Sequence, residues 1–367
     1  MSNTFGKNIK ITIFGQSHSP AIGVTIDGLP SGFTINFDEL KEFMQRRMPG
    51  QGSHTTSRKE ADEPEFISGL VDETTCGTPL TAIIRNTDTR SSDYSNIKNT
   101  PRPSHADYTA YAKYGEAHDV RGGGAFSGRL TAPLCIAGGI CLQLLRQKGI
   151  SIAAHITQIG SVCTNNFDPV NVGEREFALL KHAKFPVMDI KAEEQMLAAI
   201  EDVKQAGDSL GGIIECAAIG LPTGIGDPMF EGMENRLASI LFGIPAIKGI
   251  EFGNGFASAA IKGSENNDNF ILIDKTIKTK SNNHGGILGG ITSGMPLIFR
   301  VAIKPTPSIS IEQDSVNLKT MQEEKVKIEG RHDPCIVPRA VPCIEAAAAI
   351  AIYDAFIDNN VSGEPSP

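Results

Sequence analysis

The sequence predicts one α+β domain, and three observations carry that prediction. The chain opens on a strand–turn–strand pattern. Strands and helices then alternate irregularly through 210–303, and no repeat, low-complexity tract or linker divides the 367 residues. Thirty-eight Gly and 21 Pro make the chain rich in turns, while 40% hydrophobic residues leave ample material for a core.

Residues 9–14 alternate in polarity, Gly15-Gln-Ser-His-Ser-Pro20 is a turn cluster, and 22–26 resume the strand before Asp27-Gly28-Leu29-Pro30. Phe37–Arg47 has helical spacing, with Leu40, Phe43 and Met44 on one face, and Pro49-Gly50 ends it. Strands are expected at 65–70 and 80–85. The polar stretches 49–64 and 86–104 are long for structureless loops in a compact domain, so both are expected to be functional and mobile. A short helix is expected over 105–114 and an apolar one over 130–147. The uncharged run 130–145 is too short to span a bilayer and holds Pro133, Gly138 and Gly139, so it reads as a buried helix. Over 191–205, Met196, Leu197, Ile200 and Val203 mark an amphipathic helix. A Gly-rich segment occupies 284–294, and an Ala-rich helix over 343–357 is expected in the core or at a subunit contact.

Charge and composition exclude several function classes. With 42 acidic and 34 basic residues the formal charge is −8, whereas nucleic-acid binding normally shows as a basic surplus. Residues 1–10 lack the apolar region of a secretory signal. Seven Cys, odd in number and without C-x-x-C, argue against a disulfide framework or a zinc site. A soluble cytoplasmic protein is expected, with no nucleic-acid or membrane partner and no metal.

Within this acidic chain the cations are unevenly placed. Arg46, Arg47, Arg58, Lys59, Arg85, Arg90, Arg102, Arg121 and Arg129 lie in roughly the first third, mostly in or beside loops. Guanidinium forks bind carboxylate and phosphate bidentately, so the cluster suggests a pocket for small polyanions, set against the alternative of solvated surface charges. His18 and His105 sit among turn residues, and imidazole's reference pKa of about 6.5 suits proton transfer near neutrality. The bland alternative for each is a surface histidine, and Arg331-His332-Asp333-Pro334 can be read as simple turn chemistry. The Gly-rich runs 121–129 and 284–294 would admit close approach to a phosphate or a flat ring. No P-loop, G-x-G-x-x-G or G-x-S-x-G is present.

Taken together, five ordered segments resemble the chorismate synthase family, over about residues 5–357. Gly15-Gln-Ser-His-Ser-Pro-Ala-Ile-Gly-Val-Thr-Ile-Asp-Gly-Leu-Pro30 is similar to its first signature. Arg102-Pro-Ser-His-Ala-Asp107, with Lys113-Tyr114-Gly115, Arg121-Gly-Gly-Gly and Ser127-Gly128-Arg129, is similar to its second. Arg331-His-Asp-Pro-Cys-Ile-Val-Pro-Arg-Ala-Val-Pro342 is similar to its third, and residues 282–294 and 304–308 fit between them.

The resemblance implies a β-α-β sandwich of antiparallel sheets enclosing helices, assembled as a homotetramer. It implies a lyase of the shikimate pathway that needs reduced FMN and converts 5-enolpyruvylshikimate 3-phosphate to chorismate and phosphate. His18 is then the implied acid toward the leaving phosphate and His105 the proton source for the flavin. Asp333 matches the carboxylate that relieves the flavin N5 of its proton. Arg46, Arg47, Arg58 and Arg129 are the implied substrate anion-binders. Ala125, Phe126, Ser127, Ala246, Gly289, Lys304, Pro305, Thr306, Pro307, Ser308 and Arg331 match the FMN site. The long loops are expected to order over these ligands. No dinucleotide motif is visible, so reduced flavin is expected from an external, NADPH-linked source.

Where the family commonly carries Arg at 48, 53 and 125, this chain has Met48, Ser53 and Ala125, with Lys59 and Arg121 as the candidates to make up charge. Those losses define the rival reading, a non-catalytic FMN- or anion-binding relative.

Overall fold

Among the described residues, two antiparallel five-stranded sheets enclose a pair of apolar helices. The computed structural model describes residues 3–50, 62–86, 99–328 and 333–361. Strands β1 (Thr4–Phe5), β2 (Lys10–Gly15) and β3 (Ala21–Asp27) lead into α1 (Phe37–Arg47). Then come β4 (Glu65–Ser68), the hairpin of β5 (Leu70–Val71) and β6 (Thr74–Thr75), and β7 (Leu80–Arg85). Helix α2 (Asp107–Tyr114), a run of glycine-rich turns and α3 (Thr131–Arg146) follow. The chain continues through β8 (Ser151–Ile159), β9 (Val162–Cys163), α4 (Glu174–Lys181), α5 (Ile190–Gln205), β10 (Gly212–Ile219), α6 (Met233–Leu241) and β11 (Ile247–Phe252). After α7 (Gly263–Asn266) come the hairpin of β12 (Phe270–Ile273) and β13 (Thr276–Thr279) and that of β14 (Ile287–Leu288) and β15 (Ile291–Thr292). Strand β16 (Leu297–Ile303), the hairpin of β17 (Gln313–Asn317) and β18 (Gln322–Val326), and α8 (Val337–Val361) complete the order.

The sheets run β1-β2-β3-β7-β4 and β11-β16-β10-β8-β9. Their registers follow the alternation of side chains. Ile22, Val24 and Ile26 of β3 sit opposite Ile84, Ala82 and Leu80 of β7, and all six are buried on one face. On the other face the Thr25 and Thr81 hydroxyls share a hydrogen bond of 3.1 Å. The expected strand over 65–70 divides at Gly69, whose φ of +91° breaks the extended run into β4 and β5.

Helices α3 and α8 have almost no polar face, and a helix that is apolar all round has to be enclosed. α3 is buried along nearly its whole length, as the run 130–145 predicts. α8 starts six residues earlier than the sequence suggests. Pro338 occupies its first turn, where an N–H has no acceptor within the helix, and the helix continues through Pro342. A Cβ on Gly138 would overlap Ala346, so the two helices meet there backbone against side-chain stub. Cys135 Sγ lies 3.9 Å from Cys343 Sγ. The pairs 135–343 and 138–346 advance together, so the helices run parallel and bring their N-terminal ends to the same side. All seven cysteines are free thiols, in line with the absence of a disulfide framework.

Candidate functional site

At the N-terminal ends of α3 and α8 lies a cavity of about 680 Å³. Helix N-termini carry partial positive charge, and two converge here, with Thr131 on one and Arg339 on the other among the lining residues.

Helix α1 delivers Arg47. Its N-terminus is fixed by Asn36, whose side chain accepts from Glu39 N at 3.0 Å, and its apolar face buries Leu40, Phe43 and Met44. Arg47 lies on that same buried face and reaches the cavity, donating from Nε to Thr131 Oγ1 at 3.1 Å. Successive helical residues diverge by about 100°. Arg46 therefore points to a second cavity on another face of α1, where it grips Glu345 bidentately at 2.6 and 2.9 Å. The expectation that Arg46 joins the anion pocket is thus corrected.

Arg47 and Arg129 both pair with Asp62, whose carboxylate is fully buried between them. Burial by itself would raise this acid, but the two guanidiniums outweigh it and hold the carboxyl below its usual range.

The loop before α2 carries a tight ionic network. Arg102 donates from Nε to Asp107 Oδ2 at 2.7 Å, from Nη2 to Asp107 Oδ1 at 2.8 Å, and from Nη1 to Ser308 Oγ at 3.1 Å. His105 Nδ1 lies 2.6 Å from Asp107 Oδ1. Burial pushes the His105 pKa below its ordinary value, aided by Arg102 and Lys304 and opposed by Asp107, so the ring is neutral at neutral pH. Asp107 is held far below the carboxylate range despite burial, through its bonds from Arg102 and His105.

The glycine-rich turns form the next wall. Gly122 has φ +59°, and a Cβ there would collide with Ser17 Oγ and the His18 ring. Ser17 N donates to Gly124 O at 3.1 Å. The first signature loop is thereby seated on the turns, and His18 lies against Gly122 without itself lining the cavity. Ala125, Phe126 and Ser127 all line it. Opposite them stand Ala246, Lys248, Lys304, Thr306, Pro307 and Ser308. Lys304 N donates to Ala246 O at 3.0 Å and its ammonium to the carbonyl of Ser104, while Pro305 is the one member of 304–308 that does not line the space. Asp333 lines the floor and pairs with Arg339, whose Nε also donates to Arg47 O at 3.0 Å.

Gly289 does not reach this cavity, a second correction. It lies in the turn joining β14 to β15, and that hairpin is tied to the start of α6 by Met233 N donating to Gly290 O at 2.9 Å. The preceding Gly-rich stretch serves close backbone packing: a Cβ on Gly285 would strike Gly253 N. Arg58, Lys59 and Arg331 lie outside the described residues, as do 51–61 and 87–98 of the two long loops. Arg121 pairs with Asp119 at 2.8 Å on an exposed face and makes up no charge in the cavity.

Five participants lie outside the site residues that the resemblance implies: Arg102, Arg339, Asp107, Asp62 and Lys248. Arg102, Arg339 and Asp107 sit inside the quoted motifs, where their residue types were the available signal. Asp62 and Lys248 lie in stretches with no motif to mark them. Arg47, Arg102, Arg129, Arg339, Lys248 and Lys304 surround one space, against Asp333 on its wall and the paired Asp62 and Asp107 behind. Six cations against three carboxylates leave this cavity positively charged within an acidic protein.

The chorismate synthase family model matches residues 9–357. The chorismate synthase of Lancefieldella parvula is 46% identical over 367 residues, covering 96% of each chain. That of Thermococcus kodakarensis is 46% identical over 349 residues, covering 95% of this chain and 96% of its own. A crystal structure of chorismate synthase matches with a TM-score of 0.76 at 27% identity, covering 96% of this chain and 93% of the other. With sequence, fold and cavity in agreement, the chain belongs to the chorismate synthase family.

Proposed function

We propose that the cationic cavity binds 5-enolpyruvylshikimate 3-phosphate beside reduced FMN and eliminates phosphate to give chorismate, making the protein a carbon–oxygen lyase. One observation carries this reading. Residues from six separated segments, among them His105, Asp333, Arg47, Arg129, Lys248 and Lys304, converge on one positively charged space of about 680 Å³. The substrate bears two carboxylates and a phosphate, so it needs several cations in one place.

The residues present suit FMN. Lys304, Thr306 and Ser308 offer an ammonium and two hydroxyls suited to a phosphate, and Phe126, Ile244 and Pro245 give an apolar wall suited to a ring. When bound, reduced FMN supplies transient electron density to the allylic system with no net redox change. The chain's own groups do the rest. Arg47 and Arg129 orient the anionic substrate and stabilise charge on the departing phosphate. His18, held behind the cavity wall against Gly122, is the acid that the resemblance assigns to that phosphate. His105 exchanges a proton at the wall facing Gly123. Asp333, paired with Arg339, would take up the proton carried by the flavin N5. The intact set of His18, His105 and Asp333 favours catalysis over a non-catalytic relative.

We further infer one cytoplasmic domain per chain, an external supply of reduced flavin, and a homotetramer. Phe270 and Leu272 of β12, with Ile277 of β13, present an exposed apolar face suited to a subunit contact. Anaerobic assay with dithionite-reduced FMN should show phosphate release, and His18→Ala and His105→Ala should each slow it by ~10²-fold or more. A protein that binds both ligands yet releases no phosphate would remove the catalytic reading.

A further inference from the structure

We propose that Asp107 is a positioning residue for His105: it keeps the Nδ1 proton in place through both protonation states of the ring, so that Nε2 alone gains or loses a proton. This rests on the reading of the cavity as a proton-transferring site. The argument starts from the carboxylate. Asp107 accepts from Arg102 N at 3.1 Å, Arg102 Nε at 2.7 Å and Arg102 Nη2 at 2.8 Å. So many donors from one cation keep it ionised and fix it in space. An ionised carboxylate can only accept, so its 2.6 Å contact with His105 Nδ1 requires the hydrogen to be on Nδ1. Arg102 Nη2 also lies 3.0 Å from Nδ1, but two donors cannot bond each other, and its hydrogen goes to Asp107 Oδ1 instead.

The second ring nitrogen faces the other way. A Cβ on Gly123 would stand 3.3 Å from both Cε1 and Nε2 of His105, and only glycine at φ +84° leaves that side open. Among the described residues none hydrogen-bonds Nε2. The charged groups facing the ring are Arg102 and Asp107 on its own segment and Lys304 at the end of β16. Burial and the two cations favour a neutral ring, and Asp107 is the one anion that keeps the protonated ring within reach. A carboxylate that fixes a histidine's tautomer while staying ionised is the arrangement that lets a single nitrogen work in both directions. The same Arg102 bonds Ser308, so the anchor of the imidazole and the phosphate cradle share one guanidinium.

The test is the tautomer itself. In ligand-free protein with ¹³C-labelled histidine, the His105 signal is identified by its loss in His105→Gln. At pH 8 its ring-carbon shifts should report the Nδ1–H form. In Asp107→Asn, whose amide can donate to Nδ1, the Nε2–H form should appear and the titration midpoint should fall. With reduced FMN and substrate, kcat of this variant should drop at least ~10-fold while KM stays within about twofold. An Nε2–H tautomer in the wild type, or wild-type kcat in Asp107→Asn, overturns the proposal. The expected tautomer in a wild type that releases no phosphate supports the positioning and sinks the functional reading instead.

Discussion

Nη1 of Arg102 donates to the hydroxyl of Ser308 at 3.1 Å, joining the loop that carries His105 to the segment leaving β16. Ser315 Oγ to Pro101 O at 2.6 Å and Leu318 N to Asn99 O at 2.9 Å strap the same loop further along. Lysine keeps the charge of Arg102 but has no planar fork, so it cannot serve Asp107 and Ser308 together. Arg102→Lys should therefore weaken FMN binding about tenfold, or ~1.4 kcal/mol, by fluorescence titration. Unchanged affinity would show that the strap does not hold the phosphate cradle.

Asp62 stands between Arg47 and Arg129 where an incoming anion would stand. Asp62→Asn leaves two buried guanidiniums facing a neutral amide, and breaking such a pair costs about 3–5 kcal/mol. Sulfate can supply the missing charge. The melting temperature of the variant should start lower than wild type and climb more steeply with sulfate. Parallel sulfate curves would mean that solvent anions cannot reach this pair of arginines.

Gly122→Ala sets a methyl against Ser17 and His18 at a backbone angle that L-residues avoid. Displacing His18 should cost ~10²-fold in kcat, and the overpacking about 1–3 kcal/mol in stability. Gly263→Ala, away from the cavity, is the control, because a Cβ there meets nothing within 4 Å. Equal behaviour of the two variants would refute the seating of the first loop on Gly122.

Acid sensitivity has a definite sign. The pKa values of His105, Asp62 and Asp107 are all lowered by folding. The folded state then binds fewer protons than the unfolded one, so stability is present above the unfolded pKa and lost as pH falls. For His105 the loss begins below about 6.5, and for the two carboxylates below about 4. Thermal unfolding at pH 7.5, 6.0 and 5.0 should show His105→Gln losing less stability than wild type over that interval. A variant that follows the wild-type curve would mean that the ring is not buried as a neutral group.

Much of the fold is legible in the sequence. The boundaries of α1 and β7 follow from spacing alone. Helical phase also distinguishes Arg47 from Arg46. Arg47 lies seven, four and three residues after Leu40, Phe43 and Met44 and so is centred on their face, while Arg46 is in phase with Phe43 alone, at the edge of that face. Adjacency in sequence does not carry that phase. The extra turns of α8 were hidden because proline reads as a stop, although near a helix start it costs little. Asp62 was not legible at all, since its meaning comes from Arg47 and Arg129, which only the fold places on either side of it.

Gly138 and Ala346 leave no slack between the two central helices. Neither helix can slide or swivel past the other without striking its neighbour, so the crossing works as a gauge block for everything mounted on the ends. Thr131 and the preceding Arg129 ride on one helix, Arg339 and Cys343 on the other. Substitutions at the rim would change what the cavity touches, whereas a single methyl added at the crossing would change its dimensions. The spacing of charges that an anion meets is thus fixed by a contact buried too deep for any ligand to reach.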